Sequence, residues 1–510
     1  MFSGPLTFAG LGPHFPILQV VIPLIAAPLA VFIGVTSIAF LLAFAASIAS
    51  LIISYSLLMQ VIDGSIISYH IGGWAPPWGI EYRVDAANAF VLLIISAIST
   101  VVLPYAKTSI EREIRASAHT LFYACYLLCF TGLLGMVITG DAFNVFVFLE
   151  ISSLSTYVLV ALGAERDKRA LTAAFNYLIM GTIGATFFVI GLGLLYMMTG
   201  TLNMADLGER LPALSDNRTV QTAFGFIVVG MGLKLAIYPL HLWLPNAYTY
   251  APSAVTAFLA ATATKAAIYV LMRFMFSVFA PDFTAATGAL NLIILPFAVI
   301  AMFAASIIAV FQADLKKTLA YSSIAQIGYM LLGIGYFSHS GITATMIHLF
   351  NHAVTKAALF MAVGAIIYQT GTSFIPKLAG LGKQMPWTSA AIVASGLSLI
   401  GIPGTAGFIS KWVLINGAFE KGWWWMAMLI VASSLIAVIY VWQVVETLYL
   451  KKPVGDVVVK EAPLSLLIPT WILVFASIYF GLDTELTLSS ARAAADALLG
   501  AAPLAAGAGS

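Results

Sequence analysis

Residues 232–248 read GLKLAIYPLHLWLPNAY. The stretch is apolar enough to lie in a bilayer, yet it carries Lys234 and, five residues on, Pro239. A proline inside a helix removes a backbone hydrogen bond and crowds the preceding turn. At membrane depth, backbone groups freed in this way are tolerated only where protein or water satisfies them. A broken helix beside an ionisable group is a common arrangement for a mid-membrane ion site. The pattern returns at residues 396–415, GLSLIGIPGTAGFISKWVLI, where Pro403 and the three nearby glycines Gly401, Gly404 and Gly407 precede Lys411. A single proline kink is ordinary in membrane helices. Two of them, each beside a lysine, predict a transporter fold with broken helices.

The rest of the 510-residue chain agrees. Hydrophobic residues make up 61% of it and charged residues 9%, against roughly 25% charged in a soluble domain. No water-soluble globule of this size hides so much apolar surface. Net charge is +2 and the basic residues are scattered, which excludes nucleic acid as a partner. The two cysteines, Cys125 and Cys129, lie one turn apart in an apolar run and read as core packing rather than a disulfide framework or metal site. No Rossmann glycine fingerprint, P-loop or cysteine cluster occurs, so no cofactor and no metal are expected.

A spanning helix needs about 20 mostly apolar residues. Fourteen spans are expected, at 15–35, 37–60, 86–105, 119–138, 142–163, 170–198, 221–247, 252–279, 287–311, 317–337, 342–370, 386–417, 422–450 and 463–482. The leading MFSGPLTFAGLGPHFP lacks the basic region of a signal peptide. The Ala/Gly-rich segment from Asp483 reads as a short amphipathic stretch and a loose tail. Thirteen Lys and Arg fall in one set of alternate loops and six at the other side. By the positive-inside rule this places the first set in the cytoplasm and both termini outside. Asp141 precedes Lys234 by 93 residues and Asp314 precedes Lys411 by 97, which suggests a duplicated unit. The fold expected is all-α and polytopic. Residues 1–118 hold helices 1–3, 119–279 a first five-helix repeat, 287–450 a second and inverted repeat, and 451–510 helix 14 and the tail. Broken helices 7 and 12 fall one in each repeat.

Lys234, Lys265, Lys356 and Lys411 all fall within spans, and Glu150 lies about nine residues into its own, roughly 13 Å deep. A charge at mid-membrane costs roughly 2.5–3.5 kcal/mol on insertion scales. One buried Lys–Glu pair reads equally as an assembly pin. Four lysines on four spans, with histidines among them, read as a proton or ion route. Two unit charges 4 Å apart interact by about 4 kcal/mol at an effective dielectric of 20. If Glu150 approaches Lys234, its movement therefore works as a proton switch. In TATMIHLFNHAVTKAALFMAVG, residues 343–364, His348, His352 and Lys356 recur every four residues along one helix face. The set is either a proton ladder or a polar stripe bonding to a neighbouring helix. His241, two turns beyond Lys234, either joins Lys234 to Lys265 or is simply packed. Asp141, at a span mouth, is the candidate cation ligand together with Glu150.

The stretches GDAFNVFVFLEISSLSTYVLVALG (140–163), the long run 232–274, DLKKTLAYSSIAQIGYMLLG (314–333), HLFNHAVTKAALFM (348–361) and GIPGTAGFISKW (401–412) resemble the proton-conducting membrane transporter family. That family includes antiporter-like subunits of respiratory complex I, of membrane-bound hydrogenases and of Mrp-type cation/proton antiporters. The loop GGWAPPWGIEYRVDAANAF (72–90) and LYMMTGTLNMADL (195–207) look most like the D-type subunits of Mrp antiporters. The resemblance implies that Glu150 pairs with Lys234 and that Lys265 is the central lysine. It also implies that His348 and His352 form the polar cluster and that Lys411 is the exit group. A lysine at position 411, where M-type subunits of complex I carry a glutamate, points to a D-type or N-type chain. It implies, too, other integral membrane subunits as partners, protons and monovalent cations as cargo, and a bacterial plasma-membrane setting.

The function expected is thus that of a proton-translocating subunit of a multi-subunit monovalent cation (Na+)/proton antiporter, a transporter rather than an enzyme. A proton-pumping membrane subunit of complex I or of an energy-converting hydrogenase-type complex would carry the same path among other partners. A scaffold subunit whose buried charges are assembly pins is the third reading.

Overall fold

The computed structural model describes residues 10–453 and 459–500. The first residues of the leading stretch and the end of the tail therefore lie outside the described residues. The chain is nearly all helical, as the apolar runs require, because a helix satisfies its own backbone in lipid. The N-terminal helices are α1 (Phe15–Ile33), α2 (Thr36–Val61) and α3 (Ala86–Glu113). Then come α4 (His119–Ile138), α5 (Ala142–Ala161), α6 (Arg169–Thr199), the short α7 (Met204–Arg210), α8 (Arg218–Leu235), α9 (Trp243–Tyr250) and α10 (Ser253–Met272). The second half holds α11 (Pro281–Ala286), α12 (Leu295–Val310), α13 (Leu315–Gly335), α14 (His339–Thr370), α15 (Pro386–Ile400), α16 (Ala406–Glu420) and α17 (Trp424–Tyr449). Helices α18 (Leu464–Leu482) and α19 (Glu485–Leu499) close the described chain.

Among the described residues, eleven helices are long and apolar enough to cross a bilayer unaided, against the fourteen expected. Three expected spans fall short for two reasons. Spans seven and twelve are each two short helices, α8 with α9 and α15 with α16. Helix α13 is long enough, but its serines, glycines and Gln326 dilute its apolar character.

The two breaks are satisfied by side chains. At the first, Ala236 takes a left-handed conformation and Trp243 Nε1 donates to the Leu233 carbonyl at 2.9 Å. At the second, Gly401 is left-handed, and Lys411 Nζ donates to the carbonyls of Ile400 at 2.7 Å and Leu399 at 3.2 Å. These are two of the four carbonyls that a helix C-terminus leaves unpaired. Lys234 thus precedes its break and Lys411 follows its own.

Two corners of the chain are built alike. Asp141 caps α5 by accepting from the Asn144 amide, and Asp314 caps α13 by accepting from the Lys317 amide. Each corner pairs antiparallel with the segment just after a long helix. Ala142 N donates to Leu202 O and Met204 N to Gly140 O, both at 2.8 Å. Likewise Leu315 N donates to Ser373 O at 2.9 Å and Ile375 N to Ala313 O at 2.8 Å.

The long α14 runs through the middle of the bundle, packed on α3, α10, α13, α15, α16, α18 and α19, with every residue from Gly341 to Ile367 buried. Helix α17, much of it exposed, lies at the rim. Between α2 and α3 the chain forms a small antiparallel hairpin, β1 (Ile67–His70) with β2 (Glu81–Val84), in the register Ile67↔Val84 to His70↔Glu81. Buried Glu81 accepts from Asn203 Nδ2 at 2.9 Å and from Ser68 Oγ at 2.5 Å. The hairpin is thereby tied to the α5–α7 region. The segment after Asp483, expected to be a short amphipathic stretch, is the 15-residue α19, which buries Ala491, Ala494, Ala495 and Leu498 against the bundle.

Two charges at helix ends are turned into the protein rather than toward water. Lys316 lies in the first turn of α13, 3% exposed, and donates to the Ala251 carbonyl at 2.6 Å. Arg273 follows directly on α10 and is paired with Asp85.

Candidate functional site

Glu150 stands midway along α5 and Lys234 in the last turn of α8. Lys234 Nζ donates to Ser153 Oγ at 2.8 Å and to Glu150 Oε1 at 3.4 Å. The lysine side chain is 7% exposed and the carboxylate 24%. A buried ammonium is thus held between a hydroxyl and a carboxylate that is still partly exposed. This is the pair expected from the sequence. Ser153, one turn from Glu150, makes the shorter bond, and nothing in the sequence singles it out.

Lys265 lies within α10 and is completely buried. Its ammonium donates to the Ala260 carbonyl and to Thr264 Oγ1, and it makes no ion pair among the described residues. On α14 the rings of His348 and His352 stack with centroids 6.0 Å apart and planes 6° from parallel. His348 Nε2 donates to Gln326 Oε1 at 2.9 Å, which leaves Nδ1 to accept from the Ser410 hydroxyl at 2.7 Å. His352 is 3% exposed, and neither ring nitrogen has a partner among the described residues. Lys356 donates to the Leu319 carbonyl at 2.8 Å and to Ser322 Oγ, both on α13.

Lys411 sits next in the chain to Ser410, so the histidine cluster and the second break meet there. Besides the two carbonyls of α15 it donates to Ser434 Oγ at 3.0 Å, and its ammonium lies 4.8 Å from the Tyr329 ring centroid. The Tyr329 hydroxyl bonds to Ser433 at 3.0 Å. His241 lies in the first break, 4% exposed, stacked on Tyr238 with centroids 4.8 Å apart; its Nδ1 has no partner among the described residues.

The structure therefore brings together Glu150 with Lys234, His348 with His352, and Ser410 and Lys411 with the histidines. Among the described residues it shows no direct hydrogen bond from Lys234 to His241 or Lys265, or from Lys265 to His352. Asp141 stands apart at its helix mouth as the cap of α5. Burial raises its carboxyl above the usual carboxylate range, against two backbone donors. Its Oδ1 takes the Asn144 amide at 2.7 Å.

Residues 139–437 match the family described as NADH:quinone oxidoreductase/Mrp antiporter, transmembrane. The chain belongs to that family. The N-type subunit of the NADH-quinone oxidoreductase of Desulforudis audaxviator is 38% identical, over 94% of this chain and 97% of the relative. The D-type subunit of the Na(+)/H(+) antiporter of Bacillus subtilis is 30% identical, over 95% and 97%. A chain in the structure of the Mrp complex from Dietzia sp. DQ12-45-1b superposes with a TM-score of 0.89 at 27% identity, covering 96% of this chain and 98% of that one. D-type and N-type names both occur among these relatives, the two kinds to which Lys411 pointed.

Proposed function

We propose that this chain is the proton-translocating subunit of a multi-subunit monovalent cation (Na+)/proton antiporter. The observation that carries the reading is the buried Lys234, shared between Ser153 and Glu150 beside a broken helix. A carboxylate that swings away from the ammonium makes that proton available; its return draws the next one in. Lys265, His348, His352 and Lys356 continue the route through intervening water, with His241 beside its first step, and Lys411 ends it. Unpartnered nitrogens on buried His241 and His352 support that hydration, because buried polar atoms are normally satisfied. Asp141, whose cap bond uses one carboxylate oxygen, is the first contact for the cation.

The matched corners at Asp141 and Asp314, and the two breaks, support the division into repeats 119–279 and 287–450 flanked by 1–118 and 451–510. The antiporter-named relatives and the fit to a chain of the Mrp complex support other integral membrane subunits as partners and a bacterial plasma-membrane location. The charge bias supports both termini on the outer side. The protein does no bond chemistry of its own in this reading.

A redox-driven proton pump is the second reading, kept because of the 38% identity to an N-type oxidoreductase chain. Purifying the assembled complex from its native membrane and identifying its other subunits decides between the two. Small hydrophobic antiporter subunits carry the first reading and iron–sulfur subunits the second. The path itself is tested in everted vesicles. Lys234→Ala and Glu150→Ala are expected to assemble and to lose cation-dependent proton movement. Full-rate transport by both would end the proposal.

A further inference from the structure

A cavity of about 1490 Å³ opens on the face of the bundle that carries the β1–β2 hairpin, α7 and α19. Tyr269, Arg273 and Asp85 are among the residues that line it. Lys265, Tyr269 and Arg273 follow one another at intervals of four along α10 and its continuation, so they share one face. Tyr269 is thus about 6 Å along the helix from the completely buried Lys265. Along the helix axis the cavity lining thus comes within about one turn of the position of Lys265, whose ammonium is turned toward Ala260.

One arginine braces the cavity wall beside Tyr269. Arg273 Nε donates to the Tyr269 hydroxyl at 3.0 Å, one terminal nitrogen donates to Ser277 Oγ at 3.3 Å, and the other donates to Asp85 at 2.8 Å. Both members of the ion pair are about nine-tenths buried. Asp85 is itself fixed, as the cap of α3, by the amides of Ala87 and Asn88. At Arg273 the helix changes from α to a π-helical turn that runs to Val278. Such turns occur often at functional sites in α-helices. A buried ion pair adds little to stability beyond what apolar packing gives, so its presence in the lining of a cavity calls for another account.

We propose that the Arg273–Asp85 pair is a seal that keeps Lys265 from exchanging protons directly with the hairpin-face cavity. The inference rests on the relay reading of Lys265. An antiporter whose central lysine met solvent on the far side would dissipate the gradient it uses. The guanidinium's bonds to Tyr269 and Asp85 close the gap between α10 and α3, and loss of either charge breaks that closure. If the pair is only a pin between those helices, breaking it disturbs assembly and opens no conductance.

The purified complex reconstituted in vesicles tests this, with passive decay of an imposed pH gradient read by an internal fluorescent dye. Arg273→Met and, separately, Asp85→Asn, which keeps a good helix cap, are expected to raise the passive proton leak about tenfold or more. Tyr269→Phe is expected to raise it less. Adding Lys265→Ala to Arg273→Met is expected to return the leak to the background level. A leak that persists without Lys265, tight vesicles from intact Arg273→Met and Asp85→Asn complexes, or failure of all three single variants to assemble would each overturn the seal. The relay reading fails separately, if Lys265→Ala alone exchanges cations for protons at the normal rate.

Discussion

Ser153 provides the shortest bond to the Lys234 ammonium, and a hydrogen bond to a charged group is worth about 1.5–3 kcal/mol. Ser153→Ala is therefore expected to slow proton-coupled transport on the order of tenfold while leaving assembly unchanged, as an initial-rate assay in everted vesicles would show. His352 offers a sharper contrast, because a phenyl ring fills nearly the same space. His352→Phe is expected to abolish transport if protons pass there, and to leave it unchanged if the ring merely packs. Asp141→Asn keeps a cap on α5 and removes the charge. The expected result is a severalfold higher KM for the cation with a normal yield of complex. The charged members of the site were legible because a charge in an apolar run is costly and conspicuous. Their hydroxyl and amide partners were not. Ser153, Gln326, Ser410 and Ser434 look in sequence like Ser155 or Thr156, whose hydroxyls bond back to the carbonyl four residues earlier.

The two broken helices were legible at the level of the element, since Pro239, Pro403 and the glycines mark them directly. What the pattern did not reveal is how tightly the second break is folded on itself. A methyl group on Gly407 would collide with the Ser398 carbonyl oxygen, a backbone atom that cannot turn aside. Gly407→Ala is expected to force α15 and α16 apart and to cut sharply the amount of protein recovered in membranes, read by quantitative immunoblot. The β1–β2 hairpin escaped notice because four-residue strands flanking Pro76 and Pro77 carry too little alternation to register. The burial of Lys316 was not legible for another reason: a lysine beside a span boundary reads as a loop charge, and only the fold shows the Ala251 carbonyl that receives it.

Across the whole molecule, α19 closes the bundle over α3 and α14. Its Asp496 also faces His339 at 3.0 Å, at the start of α14. Ending the chain at Leu482 exposes those helices, and the shortened protein is expected to lose thermal stability in detergent, measured by the temperature at which the complex aggregates. The general plan of apolar helices around a polar interior was readable from span composition. Which helix occupies the centre was not, because burial by neighbours leaves no mark on hydropathy alone. The unbroken burial of α14 from Gly341 to Ile367 carries a practical corollary. Wrapped in protein on every side, this helix answers to the fit of its neighbours and has no surface on which acyl chains can act. Exchanging short-tailed for long-tailed phospholipids, or neutral headgroups for acidic ones, should leave the rate through His348 and His352 where it was.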